Sequence, residues 1–410
     1  MSDKVFDVVF VGAGPSTIAG VHYLHTKLPH SNFLVIEMGK NVTRRNHGCE
    51  FDCVNGIGGA GLFSDGKFSY FPAGTKVWEL EHDKLKSSYE FLKSFMDKYK
   101  TIPEFPVSDE KFLSGTEWTQ KRYETHYLSL EQRIELSKEI SIEYYQEPNH
   151  KFMLNTEVIN VVKRHGNYVL SWRNVMSWET GVVRAKKVVF AGGRFMPLFL
   201  GKLKIIPMTF KRIELGVRFE GPADSELYSV SENIDPKFMK DDIEKKIQYR
   251  TFCWCRDGEV VCTNCNGIKT WSGRSDCDST KRSNFGFNVR FKDPSYMHLL
   301  KAALDTLPFV IDMEHMDAAV PDSYREIFEH IKTGLTSFLE FSDIKKMDGF
   351  KLIGPTIEGV GSYPDTDDDL KVPGEDIWIT GDATGKFRGI IAAMLSGIFV
   401  AHQIVDLLEV

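Results

Sequence analysis

Val5-Phe6-Asp7-Val8-Val9-Phe10-Val11-Gly12-Ala13-Gly14-Pro15-Ser16-Thr17 is the stretch that decides the fold. Apart from Asp7, its first seven residues are Val or Phe, the composition of a strand buried on both faces of a parallel sheet. Gly12 permits a tight turn and Gly14 lets a ligand approach the backbone. Pro15 and Ser16 then open a helix predicted to reach about residue 28. Residues 33–36 form a second apolar run, ending on Glu37 and Met38. Strand, turn, helix and strand within this length make a βαβ unit.

Such a turn offers the N–H groups and partial positive charge of a helix N-terminus to phosphates. Glu37 ends the second strand, where a carboxylate accepts hydrogen bonds from ribose hydroxyls. With 33 glycines in 410 residues, a G-x-G arises by chance roughly three times, so the flanking strand and helix carry the reading. Thr17 stands where a third small residue is usual, and Gly20 is expected to supply the close approach one turn later.

The far end of the chain bears on which dinucleotide is bound. Residues 373–382, Pro-Gly-Glu-Asp-Ile-Trp-Ile-Thr-Gly-Asp, read as a polar turn, a buried strand and a Gly381-Asp382 turn. This segment resembles the second FAD motif of the glutathione-reductase-type flavoproteins, which implies that Asp382 binds the ribityl chain and that the cofactor is FAD. Residues 155–162 and 185–193, with a hairpin between them at residues 165–167, are similar to the T-x-V-x-x-V … A-x-x-V-V-x-A-x-G pattern of the same superfamily. That likeness implies that Val158 lies by the adenine and that Ala191 and Gly192 pass near the pyrophosphate. A terminal helix following Arg388, Gly389 and Ile390 would direct its N-terminus at the edge of the flavin where negative charge collects on reduction.

Residues 55–67, Asn-Gly-Ile-Gly-Gly-Ala-Gly-Leu-Phe-Ser-Asp-Gly-Lys, resemble the G-x-G-G-A-G-x-F-S-D-G-K segment of a bacterial family of FAD-dependent, or NAD(FAD)-utilising, dehydrogenases. Phe252-Cys253-Trp254-Cys255 and residues 381–397 resemble two further blocks of that family, although Arg256-Asp257 replaces its Pro-Gly. The glycines of this loop (Gly58, Gly59 and Gly61, with Ala60) suit a backbone passing close to a cofactor. Ser64, Asp65, Lys67 and Arg388 are the candidate catalytic groups: Ser64 and Lys67 as donors, Asp65 as loop holder or substrate contact, and Lys67 or Arg388 as the cation beside reduced flavin.

The fold class expected is α/β: a glutathione-reductase-type, Rossmann-like FAD-binding domain in three layers (ββα), with an inserted mixed α+β substrate domain. The FAD domain is assembled from residues 1–70, 152–202 and 350–410. Residues 71–151 form a largely helical insertion or cap, and residues 203–349 form the substrate domain. No second glycine-rich βαβ unit interrupts the FAD segments, so no dedicated NAD(P)H domain is expected.

Composition excludes several classes. The net charge is −6 with no long Lys/Arg run, which points away from nucleic acid. The apolar stretch 389–401 falls short of the roughly 20 residues that span a bilayer, and we expect a cytoplasmic protein without membrane segments. Seven cysteines, odd in number and clustered, do not make a disulfide framework. Cys253, Cys255, Cys262 and Cys265 fit a four-cysteine zinc site, a redox-active thiol pair or plain buried thiols. The last is favoured, with a β-hairpin between Cys255 and Cys262 explaining the spacing, so no metal is expected. Cys49 and Cys53 precede the glycine turn, unlike the redox pair of disulfide reductases.

The function expected is hydride transfer between a small organic substrate and flavin N5. The alternatives are a monooxygenase or reductase reduced by NAD(P)H bound transiently, and, in another class, a non-catalytic binding protein on an FAD-type fold. Arg274, Tyr363, Arg218 and His126 are candidate polar anchors for the substrate, and the sequence does not choose among them.

Overall fold

The computed structural model describes residues 4–106, 113–114, 117–141 and 149–409. Parts of the expected helical insertion (residues 107–112, 115–116 and 142–148), the first three residues and Val410 lie outside them.

Val5–Val11 is the central strand of a seven-stranded sheet. It pairs in parallel with Phe33–Ile36 on one side and with the end of Thr180–Phe190 on the other. His150–Met153 adds a parallel strand beyond Phe33–Ile36, and Ile377–Ile379 pairs in parallel with Thr180–Phe190. The first half of Thr180–Phe190 turns instead to antiparallel pairing with Asn167–Asn174, which pairs with Thr156–Arg164. Their hairpin closes on His165 (φ 49°) and Gly166 (φ 80°), the two positive φ values of a type I′ turn.

The central strand is apolar on both faces because it is covered on both. Val8 and Phe10 pack with the helix Pro15–Lys27 and the terminal helix Ile390–Glu409. Val9 and Val11 pack with Tyr168, Leu170 and Trp172 of the antiparallel strands. Each such fully buried side chain contributes about 1.5–3 kcal/mol. The two helices meet backbone to backbone: a Cβ on Gly20 would lie 2.7 Å from the carbonyl oxygen of Gly397. Gly20 thus supplies a close approach, but to the terminal helix. The expected partner was the strand.

Ile390–Glu409 is long and apolar enough to cross a membrane, alone among the described helices, with a mean hydropathy of 1.8. Here it is core: 72% of its apolar window is buried inside the protein.

A second, eight-stranded sheet is antiparallel, in the order Phe309–Asp312, Lys351–Pro364, Met208–Pro222, Arg282–Phe291, Ile247–Cys255, Lys237–Asp242, Thr119–Lys121, Leu113–Ser114. Its alternation is strict enough to separate two chemistries. Leu215, Val217, Phe285, Phe287 and Val289 point to one face and are covered by the helices Arg325–Phe341 and Met297–Asp305. The in-between residues Arg212, Glu214, Asn288, Arg290 and Arg250 share the opposite face, as the cross-strand pairs Glu214–Arg290 and Asn288–Arg250 require.

Two boundaries differ from the sequence reading. Lys351–Pro364, assigned to the FAD-binding part, pairs with Met208–Pro222 in the second sheet. The insertion is helical at His82–Met96 and Leu130–Ile140, yet Thr119–Lys121 joins the second sheet as well. The expected hairpin between Cys255 and Cys262 does not form. Ile247–Cys255 pairs with Arg282–Phe291, and Glu259–Cys265 pairs with Ile268–Arg274 across Asn266-Gly267. Both turn residues have positive φ (49° and 88°), so the Asn-Gly pair was the local signal for the true hairpin.

Candidate functional site

The glycine turn sits where the central strand ends. Gly12 has φ 97°, and a Cβ there would lie 2.8 Å from the carbonyl oxygen of Ala191 and 2.9 Å from Gly192 Cα. Ala191 and Gly192 are thereby brought against the turn. The helix Pro15–Lys27 has no side-chain cap and no acidic residue in its first turn, which leaves its N-terminal N–H groups and positive end for an anion. The Ser16 hydroxyl at that end is buried without a hydrogen-bond partner. A Cβ on Gly14 would meet only one atom, at 3.9 Å, so there is room beside the turn.

Glu37 is buried and ties three loops together. Its carboxylate accepts hydrogen bonds from the backbone N–H groups of Ala13 (2.7 Å), Gly39 (2.8 Å) and Gly56 (2.8 Å). A carboxylate has about four acceptor positions, so one remains for a ligand hydroxyl. Met38 beside it is half-buried. Val158 lies on the strand that begins at Thr156, whose N–H donates to the Glu37 carbonyl at 2.8 Å. The loop of Gly58, Gly59, Ala60 and Gly61 packs on the turn: Gly58 N–H donates to Ala13 O at 2.9 Å, and a Gly59 Cβ would lie 2.8 Å from Gly14 Cα. Gly58 and Gly59 have positive φ, 87° and 53°, which only glycine adopts at little cost.

Gly381 (φ 62°) lies against Ser16, so the last motif meets the first. Asp382 does not stand alone: Arg388 Nε donates to its Oδ2 at 3.0 Å. Arg388 also bonds Glu358 (3.0 Å) and approaches Glu214 (3.5 Å). A methyl group on Gly389, where φ is 105°, would meet nothing within 4 Å, so the space before Ile390 and the terminal helix is open.

The candidate catalytic groups behave differently from one another. Ser64 Oγ donates to Gly61 O (2.9 Å) and shapes the loop. Lys67 is buried, with its ammonium donating to Asp65 (3.0 Å), Asp235 (3.4 Å) and the Trp254 carbonyl. The Lys67 ammonium thus joins the glycine loop to Asp235 and to Trp254 of the second sheet. Burial lowers its basicity, but Asp235 and Asp65 outweigh burial and hold it well above the usual lysine range.

Asp65 brings that loop to Cys253 and Cys255. The Cys253 thiol donates to Asp65 Oδ2 at 3.4 Å, and the two sulfurs are 3.8 Å apart. Arg218, fully buried, donates to the Cys253 carbonyl and to Asn284. The hydrogen bond between the thiols raises Cys253, with burial adding to it. The same bond lowers Cys255, and Lys67 helps against burial. Cys262 and Cys265 are not in this group: among the described residues, the one cluster with metal-ligand spacing is Asp65, Cys253 and Cys255. The four-cysteine arrangement is absent from the described residues because the last two cysteines sit on the separate hairpin. We expect thiolate absorbance near 240 nm to appear below the ordinary thiol range in a pH titration of the native protein. It should be lost in Cys255→Ser and retained in Cys262→Ser. Equal curves for all three proteins would refute the assignment.

All four anchors proposed from sequence have partners within the protein, although the Nδ1 of His126 is buried without one. Arg274 bonds Glu259 and the His47 carbonyl, and His126 bonds Glu124. The Tyr363 hydroxyl accepts from Val360 N–H, with the Arg212 guanidinium 5.2 Å from its ring. Sequence reasoning missed the polar face of the second sheet altogether. Glu214 is 1% exposed there and receives Arg212 (2.5 Å), Arg290 (2.7 Å) and Arg250 (3.3 Å). The available signal was the i, i+2 spacing of charged residues along strongly apolar strands, as in Arg212-Ile213-Glu214 and Arg290-Phe291-Lys292.

No protein-family model matches the sequence, and no curated protein matches it. Solved structures align along nearly the whole chain at low identity. A flavoprotein/dehydrogenase from Cytophaga hutchinsonii is 14% identical, with 98% of this chain and 79% of that one covered and a TM-score of 0.42. A myxobacterial chondrochloren halogenase, described as a variant of FAD-dependent halogenases, is 13% identical over 99% and 76%, with a TM-score of 0.46. The p-nitrophenol 4-monooxygenase of Pseudomonas putida is 10% identical over 99% and 80%, with a TM-score of 0.42.

Proposed function

We propose that the chain binds FAD along the end of the parallel sheet and is an FAD-dependent oxidoreductase acting on a small organic substrate. The observation that carries this is the convergence of four separated segments on one locus. The uncapped helix end at Gly14 to Ser16, the Glu37 carboxylate, the Gly58–Gly59 loop and the Gly381–Gly389 segment are all in mutual contact or one contact apart. An orphaned Ser16 hydroxyl and open space beside Gly14 and before Ile390 fit a bound dinucleotide. The glutathione-reductase-type arrangement is the finer form of this reading, supported by the sheet with its antiparallel extension and by the sequence resemblance.

Bound flavin supplies a two-electron acceptor whose reduced form carries negative charge. The helix end and the Gly14, Ser16 and Thr17 region hold its phosphates, Glu37 its adenosine ribose and Asp382 its ribityl chain. Arg388 pairs with Asp382 and Glu358 and approaches Glu214, so it orients Asp382 toward the ribityl chain and ties the segment before the terminal helix to the second sheet. Burial would lower its basicity, but Asp382 and Glu358 keep it firmly charged. Asp65 and Lys67 lock the glycine loop to the substrate sheet, which fixes the distance between the two. The absence of a second glycine-rich βαβ unit from the sequence supports reduction by the substrate itself, or by a nicotinamide that binds transiently.

Purified protein should be yellow, with FAD released on denaturation, and Asp382→Ala should lose most of the flavin. A colourless protein that rejects added FAD would sink the proposal. Anaerobic bleaching by an organic substrate alone supports a dehydrogenase or oxidase. Bleaching by NADPH alone supports the monooxygenase alternative.

A further inference from the structure

The polar face of the eight-stranded sheet carries more positive charge than its carboxylates balance. Lys237 stands on the strand Lys237–Asp242, directly across from Lys121. Its ammonium has no hydrogen bond and no ion pair among the described residues, although the side chain is only partly exposed. Among the described residues, Lys121 has only the Thr75 hydroxyl as side-chain partner. One rung of the sheet runs Thr356, Gly216, Asn288, Arg250, Met239. On it, Arg250 Nε, Asn288 Oδ1 and Thr356 Oγ1 are buried without partners, in residues 7%, 2% and 0% exposed. Unpaired buried polar groups are costly and uncommon in native proteins. Several on one face, joined by an unpaired ammonium, describe half of an interaction.

The location gives that half a purpose. The same face touches the proposed flavin locus at two places: Arg388 reaches Glu214, and Lys67 reaches Asp235, two residues before Lys237. Lys237 and Arg250 lie on the strands between these anchor points. Burial, then Arg250 and Arg290, oppose the charge on Lys237; Glu214 favours it and Lys121 opposes it. Burial, then Arg250, pulls Lys121 down to about 8. An anion arriving here would relieve repulsion that the protein's own carboxylates leave in place.

We propose that Lys237, with Arg250, Lys121 and Asn288, forms an oxyanion-recognition site on the substrate side, so that the substrate carries a carboxylate or phosphate group. The inference rests on the flavoenzyme reading for the word substrate, but the anion site itself is measurable without flavin. Lys237 supplies a charge-assisted hydrogen bond and Arg250 its unused Nε–H. The Asn288 amide, turned to present its N–H, supplies a neutral donor.

The test is thermal denaturation of the full chain at pH 7 in low-salt zwitterionic buffer. Sodium benzoate, inorganic phosphate and benzamide are titrated in turn, with sodium chloride as the ionic-strength control. Benzoate or phosphate should raise Tm saturably while benzamide and chloride do not. A response to benzoate alone assigns a carboxylate, and one to phosphate alone assigns a phosphate ester. Lys237→Met should raise Tm without anion, because it removes a half-buried charge that its neighbours repel, and should weaken anion binding by about tenfold to a hundredfold. Lys346→Met, on an exposed loop, should change neither. Lack of any saturable anion effect, or one equally strong in Lys237→Met, would overturn the site. Perturbation of the bound-flavin spectrum by the same anion ties the site to the cofactor. A protein that responds to anions but rejects FAD would overturn the flavin reading alone.

Discussion

Glu214→Gln is expected to lower the unfolding free energy by about 3–5 kcal/mol, read from the denaturant midpoint at pH 7. Glu214 is the hub of a fan of guanidinium groups: Arg212, Arg250 and Arg290 from its own sheet and Arg388 from the segment before the terminal helix. Taking charges out of water costs several kcal/mol per ion, and a buried pair is tolerated only while it stays paired. Glutamine keeps the volume and can still accept through its oxygen, so packing is not what fails. The charge is. Burial alone would raise the Glu214 carboxyl, but Arg290, Arg250, Arg212 and Arg388 hold it well below the usual carboxylate range.

The sign for pH follows. A depressed folded value means that the contribution is fully present above the unfolded carboxyl value of about 4.3. It is lost as pH falls through the lower folded value. The variant should therefore lose stability less steeply in acid than the native chain does. A change under about 1 kcal/mol at pH 7 would mean that Glu358 and Asp382 alone neutralise the fan.

Gly12→Ala should reduce FAD affinity by at least about a hundredfold, equivalent to about 3 kcal/mol, measured as flavin retained through gel filtration and dialysis. Two effects add. A non-glycine residue at φ 97° costs on the order of 1–3 kcal/mol. The new methyl group would also lie within 3.0 Å of three backbone atoms of Ala191 and Gly192, which belong to a strand end and cannot yield as a side chain does. Relief requires the turn to move off the sheet, and the N–H groups proposed to face the pyrophosphate move with it. Gly193→Ala is the matched control. Its φ is also positive (75°), but a methyl group there meets nothing within 4 Å, so it should carry the backbone strain and keep its flavin. Equal flavin loss in both variants would show that strain is what matters and that the close approach is not.

Much of the parallel-sheet half was legible because local rules govern it. A run of Val and Phe broken only by Asp7, a Gly-x-Gly-Pro turn and a strand ending on Glu37 report their own geometry through composition and backbone freedom. The resemblance of residues 381–389 and 56–67 to flavoprotein motifs pointed to loops that the fold brings together at Ser16 and Gly14. Cysteine spacing misleads at Glu259–Cys265, where the Asn266-Gly267 turn is the stronger short-range signal.

The second sheet was illegible for a different reason. Lys67 reads as a free donor in the sequence, yet Asp235 and the Trp254 carbonyl, more than 160 residues away along the chain, occupy it. Whether a lysine is spent or available depends on partners that only long-range pairing supplies. By itself the sequence determined the βαβ unit, the glycine turns and the apolar terminal helix, since propensity, periodicity and φ requirements act within a few residues. Only the tertiary structure decided that Lys351–Pro364 belongs to the second sheet. It also decided that Cys253 and Cys255 face Asp65, and that Glu214 gathers four arginines while Lys237 is left unpaired among the described residues. Those outcomes depend on strand order and register, which place distant charges within a few ångströms of one another.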